Sequence, residues 1–208
     1  MISEEALRSG KLEAIRQAAT HVFATKGYHD ATVSEIARVA NVGKGTVYFY
    51  YPSKEDILLA ILEFHFERMM TLIEGIEQLD AEPAEAIRIV LGDAMRRLEE
   101  DPDLFRIMEQ QPLLYHERVK ERFERLFGDM VDRVALLLEA GTERGVLRSF
   151  DSRAVASVLL SSAISFPLYL SVCADETGHD ALRRLTDEMA DLIWTGLRPT
   201  RTDPTSER

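Results

Sequence analysis

Residues 32–41 read Thr32-Val-Ser-Glu-Ile-Ala-Arg-Val-Ala-Asn41, and residues 42–55 continue Val42-Gly-Lys-Gly-Thr-Val-Tyr-Phe-Tyr-Tyr-Pro-Ser-Lys-Glu55. The spacing predicts two short helices joined by a tight turn. Thr32 and Glu35 form a capping box, which satisfies the first amides of a helix beginning there. Val33, Ile36, Ala37 and Ala40 recur at helical spacing and give it one inward face. Asn41 follows, the residue besides glycine that best tolerates a left-handed backbone, so the chain can reverse sharply. In the next helix Val47 and Tyr51 are four apart and turn inward, while Lys44 and Tyr48 share another face. Pro52 stops this helix, and Ser53 with Asp56 caps the one after it. Such a pair is a helix-turn-helix, a device for laying a helix in the DNA major groove.

The pieces Phe23-Ala-Thr-Lys-Gly-Tyr28, Thr32 to Ala40, Gly43-Lys-Gly-Thr-Val-Tyr48 and Tyr51-Pro-Ser-Lys-Glu55 closely resemble the TetR family of dimeric, ligand-responsive transcriptional regulators. The resemblance is specific over the first quarter of the chain. Beyond it only the layout matches, a run of helices ending in Trp194-Thr-Gly-Leu-Arg-Pro199. Asn41 stands where the family often has glycine, and Gly43 and Gly45 leave the start of the recognition helix short of side chains.

The resemblance implies residue roles at the DNA end. Lys44 would reach a guanine edge or a phosphate, and Thr46 and Tyr48 match positions that contact bases, sugar and backbone. Tyr50 matches a phosphate-facing position, and Gly45 would let the backbone approach a phosphate or a thymine methyl. Thr32 and Lys54 resemble phosphate clamps at the two edges, and Ser34 sits where some members read a base. Packing is an alternative for Tyr48 and the expectation for Phe49.

The expected fold is all-α: a three-helix DNA-binding domain over residues 9–69, with its helix-turn-helix at 32–51, then a helical ligand-binding and dimerisation domain over 70–198. The pattern predicts a first helix from Gly10 to Lys26 and a long one from Ser53 towards Leu79. Further helices are expected from Pro83 to Glu100, Pro102 to Gln110, Tyr115 to Ala140, Ser152 to Cys173 and His179 to Gly196. Pro167 is expected to kink its helix, and the polar tail 199–208 is expected to be disordered.

Composition agrees with a DNA-binding switch. The chain has 208 residues, 46% hydrophobic and 29% charged, room for a small head and a larger helical body. Its net charge of −11 divides unevenly: residues 1–55 carry seven Lys/Arg against six Asp/Glu, and the remainder carries eighteen against thirty. A near-neutral head on an acidic body orients the approach to DNA, because the body is repelled. No apolar run reaches membrane-spanning length, and Met1-Ile-Ser-Glu-Glu5 lacks a basic segment leading into an apolar one, so no secretory leader is expected. The single Cys173 cannot form an internal disulfide, which fits a reducing cytoplasm, and its apolar neighbours give it no activating base.

In the body, a pocket is expected between the long connecting helix and the middle helices. The candidates are Phe64, Met69, Leu91, Met95 and Phe105, followed by Met108, Leu114, Phe123, Phe127 and Phe166. A Met- and Phe-rich lining would suit a small apolar or aromatic effector, an acyl chain or a hydrophobic drug. For any one of these residues plain core packing is the better reading. The turn Glu109-Gln-Gln-Pro-Leu113 is read as an entrance or as a simple loop. The resemblance further implies that the last two helices pair with their twins in a homodimer, although a monomer core explains their hydrophobicity too.

No cofactor, catalytic constellation or metal site is expected, since the five histidines are scattered and lack cysteine partners. Glu63, His65 and Glu67 read as helix surface. The leading function is therefore a repressor released from a palindromic DNA operator by a ligand. A DNA-bound regulator whose body engages a protein, and a helical enzyme with a vestigial head, are the alternatives.

Overall fold

The structure, a computed structural model, describes the backbone of residues 4–109, 116–173 and 179–199, and side chains over 8–108, 116–165 and 183–199. Among these residues there are nine helices and no strand: α1 Glu4–Lys26, α2 Val33–Val39, α3 Lys44–Tyr50, α4 Lys54–Gln78, α5 Pro83–Glu100, α6 Pro102–Glu109, α7 Glu117–Glu143, α8 Ser152–Cys173 and α9 His179–Leu197. The all-α fold is the one the sequence predicts. The first helix starts six residues earlier than expected, because Gly10 within a helix weakens it without breaking it. Leu114, the polar turn after Glu109 and the end of the tail lie outside the described residues, as do the side chains of Phe166, Pro167 and Cys173.

Two compact units emerge. The first joins Met1–Met69 to Glu100–Phe127, and the second joins Met70–Glu99 to Gly128–Arg208. Residues 100–127, which the sequence pattern grouped with the body, thus pack with the head, where α6 lies against α1. The reason is a polar and apolar seam that sequence spacing does not reveal. His21 Nδ1 lies 2.9 Å from Asp103 Oδ2, Arg118 donates to Asp56 at 2.7 Å, and Arg122 donates to Glu63 at 2.6 Å. Leu104, Phe105, Ile107 and Val119 are buried there.

The head core is built from Ile15, Phe23, Ile36, Val47, Ile57, Leu58 and Ile61, all fully buried. Each such side chain contributes roughly 1.5–3 kcal/mol relative to exposure. Helix ends are set by local chemistry. α2, α4 and α7 each close with the same pair of bonds, in which the second residue past the cap reaches back five residues. At α2 these are Val42 N to Ala37 O at 3.0 Å and Asn41 N to Arg38 O at 3.3 Å, with Asn41 left-handed at φ 54°. Asp80 at φ 45° and Gly145 at φ 74° occupy the equivalent places after α4 and α7.

Candidate functional site

The helix-turn-helix is fastened at both ends. Glu35 N donates to Thr32 Oγ1 at 3.3 Å, and Thr32 N donates back to Glu35 Oε2 at 3.1 Å. Lys26 also donates to this carboxylate. Its pKa falls from 4.5 to about 2, because hydrogen bonds from Lys26 and then Thr32 favour the charged form. At the other end Asp56 N donates to Ser53 Oγ at 3.1 Å and Ser53 Oγ donates to Asp56 Oδ2 at 2.6 Å.

Between these caps α3 turns Val47 wholly inward, with Tyr51 half-buried beyond its end. Lys44, Gly45 and Tyr48 are exposed, Thr46 and Tyr50 are partly so, and Lys44 Nζ stands 5.8 Å from the centre of the Tyr48 ring. Ser34 is exposed near the start of α2. These residues lie on a single helical pair with no acidic side chain between Arg38 and Lys54.

The two edge residues are differently employed. The Thr32 hydroxyl is taken up in the capping box, where it also donates to Glu35 Oε2 at 2.9 Å. Lys54 donates to the carbonyls of His29 and Ala31 at 3.0 Å each and to that of Tyr28, and its ammonium lies 4.5 Å from the Tyr28 ring centre. Three donors on three carbonyls leave none for a phosphate, so in this structure Lys54 buttresses the turn before α2. Burial pushes its pKa down, partly offset by Asp30, and burial beside Glu55 and Asp56 pushes Tyr28 up to about 12.

One expectation is overturned. Phe49 does not pack: it is 78% exposed, touching Tyr50 edge-on at 5.1 Å. Helical geometry puts it opposite Val47, a signal available in the sequence but outweighed by its hydrophobicity.

The second unit contains a cavity of about 320 Å³. Its walls are aliphatic: Ile73 and Ile76 from α4, Ile87 and Leu91 from α5, Leu137 and Leu138 from α7, with Leu160 from α8 and Ile193 from α9. Glu77, Asp80 and Arg144 are the charged residues around it, and Arg144 donates to Asp80 at 2.9 Å. Of the eight pocket candidates whose side chains are described, Leu91 alone lines this cavity. Met95 is buried elsewhere in the same unit. Phe64, Met69, Phe105, Met108, Phe123 and Phe127 belong to the first unit, where Phe64 is covered by the Arg16 guanidinium at 3.4 Å and Phe123 stacks on Phe127 at 5.9 Å. A Met- and Phe-rich lining is therefore replaced by an Ile- and Leu-rich one. Core and lining residues share one periodicity, so no pattern could separate them.

Glu63, His65 and Glu67 also divide: His65 is buried, Glu63 pairs with Arg122, and Glu67 is exposed, because successive odd positions fall on different helix faces. Among the described residues no group of three or more His, Cys, Asp or Glu could hold a metal, and no helix is long and apolar enough to cross a membrane.

Residues 15–61 match the family model described as bacterial regulatory proteins, tetR family. That segment, the helix-turn-helix head, is of the TetR type. The chain is 32% identical to the uncharacterized HTH-type transcriptional regulator YuxN of Bacillus subtilis over 53% of its own length and 38% of that protein's, so it spans little more than a third of that relative. It is 28% identical to the fatty acid metabolism regulator protein of Bacillus subtilis, over 88% of this chain and 93% of that one. The likeness of fold covers most of the chain. The transcriptional regulator FadR of Bacillus subtilis, solved in complex with stearoyl-CoA, superposes with a TM-score of 0.74 at 24% identity, covering 88% of this chain and 98% of its own.

Proposed function

We propose that the protein is a dimeric, cytoplasmic transcriptional repressor that binds a palindromic operator and is released by a small apolar ligand. The outward face of α3 carries the reading: Lys44, Gly45, Thr46, Tyr48 and Tyr50 on a helix that has no acidic residue, with Ser34 exposed on α2. Tyrosines and a lysine on such a helix suit base edges and phosphates, and few phosphates are met, so the salt dependence is moderate. Thr32 and Lys54 act by holding the head in shape. No catalytic step is assigned.

The occupant of the second-unit cavity is an aliphatic chain, the class that branched aliphatic walls favour over an aromatic ring. Arg144 would meet an anionic head by exchanging its Asp80 partner. The name of the Bacillus subtilis relative, a fatty acid metabolism regulator, supports this ligand class. A ligand can change DNA affinity only through its different affinities for the two conformations. Dimerisation is supported by Val158 on α8 and Leu192 on α9, which are 67% and 74% exposed on the isolated chain. A second copy covering them would supply the second recognition helix that a palindromic operator requires.

The test uses the full chain with duplexes selected from a random pool, read by fluorescence anisotropy. A palindromic consensus should emerge, and dodecanoate or stearoyl-CoA should weaken binding by about 5–150-fold. Failure to enrich any sequence would overturn DNA recognition, and indifference to both acyl probes would overturn the ligand class. Sedimentation giving only monomers at micromolar concentration would overturn the dimer.

A further inference from the structure

Gly141 lies in the last turn of α7, where its backbone is helical and no left-handed conformation requires a glycine. Glycine weakens a helix relative to alanine, so the reason for it lies in packing. A Cβ added at Gly141 would stand 2.8 Å from Leu147 Cδ1 and 3.1 Å from Leu147 Cγ, well inside the distance at which carbon atoms rest. The backbone of Leu147 is held in place: its N donates to Gly141 O at 3.2 Å, and Arg148 N donates to Leu197 O at 3.0 Å. The buried Leu147 side chain is therefore the part that would yield.

Gly141 and Leu147 both line the aliphatic cavity of the second unit. Protein interiors are close-packed, so a Leu147 side chain pushed away from Gly141 moves into the void. The hydrogen in place of a methyl at Gly141 thus keeps Leu147 against α7 and the cavity open. A dry apolar cavity of about 150 Å³ takes up benzene, which has six carbons. On that scale a cavity of about 320 Å³ holds an aliphatic chain of about a dozen carbons. On the reading of this cavity as the site of an aliphatic ligand, we propose that it selects chains of about a dozen carbons and that Gly141, by seating Leu147, sets this limit.

Straight-chain carboxylates from octanoate to octadecanoate, kept below their micellar concentrations, are titrated into the full chain by calorimetry. Wild-type affinity should rise roughly fourfold with each added methylene, the worth of one buried CH₂, and stop rising at about twelve carbons. In G141A the rise should end about one carbon earlier, because Leu147 then takes up a methyl's worth of the void. In L147A, which strips three carbons from the wall, it should end about three carbons later. G141A/L147A should match L147A, since the clash is gone, and this pair decides the role of Gly141 should G141A fail to fold by circular dichroism. A wild-type affinity that climbs unbroken to octadecanoate would overturn the length limit with the ligand class intact. A break at the wild-type length in G141A and L147A, with affinity lowered equally for every chain, would overturn the role of Gly141 and Leu147, since purely structural damage acts in that way. Binding of none of the carboxylates would instead remove the ligand class and this proposal with it.

Discussion

In the head, the residues facing outward on α3 are held by caps and turns made within about two dozen positions of chain. The cavity of the second unit instead draws its walls from five helices between Ile73 and Leu197. The first arrangement is local, so a change on its exposed face alters what is bound and leaves the fold alone. The second is collective, so a change in its lining acts through volume. On the proposed function, recognition of DNA and response to a ligand would depend on different physics: hydrogen bonding and shape at a surface in one case, aliphatic packing around a void in the other.

That contrast can be broken most forcefully at Lys54. Lys54→Met leaves the carbonyls of Tyr28, His29 and Ala31 without their ammonium and should destabilise the chain by about 2–3 kcal/mol in chemical denaturation. The salt slope of DNA binding should not change. A slope reduced by about one, with stability intact, would make Lys54 a phosphate contact.

Lys44→Ala should do the reverse. DNA affinity should fall by about 1–2 kcal/mol, roughly tenfold, with the melting temperature unchanged, because the side chain is exposed. Unchanged affinity would remove Lys44 from the interface.

In the cavity, Leu91→Trp should abolish the effect of an acyl ligand on DNA binding while altering stability by less than about 3 kcal/mol, since the added ring enters existing space. A retained ligand response would mean that the effector binds elsewhere.

The smallest effect concerns the capping box. The folded-state pKa of Glu35 lies below its ordinary 4.5, at about 2, so its stabilisation is complete above pH 4.5 and is lost as the pH falls towards 2. E35Q should be less stable than the parent at neutral pH, and the difference should shrink across that window. A constant difference from neutral pH to pH 2 would detach the cap from Glu35 ionisation.

The head was legible because its signals are short-range. Thr32 and Glu35, Asn41, and Ser53 with Asp56 are each read from spacing alone, and the structure forms each as a cap or turn. Hydrophobicity alone misplaces Phe49, because its angular position opposite Val47 turns it outward. Residue type does not mark a pocket: phenylalanines such as Phe123 and Phe127 stack within the first unit while isoleucines and leucines line the void. Helical periodicity marks an inward face without saying whether atoms or empty space lie beyond it.

The sequence by itself determined the helices, their caps and the helix-turn-helix of the head, because these depend on contacts between residues near in the chain. Only the tertiary structure decided that residues 100–127 pack with the head, that Lys54 is spent on three carbonyls and that the void is aliphatic. Each of these depends on residues far apart in sequence meeting in space, and long-range packing leaves no periodic trace in either partner.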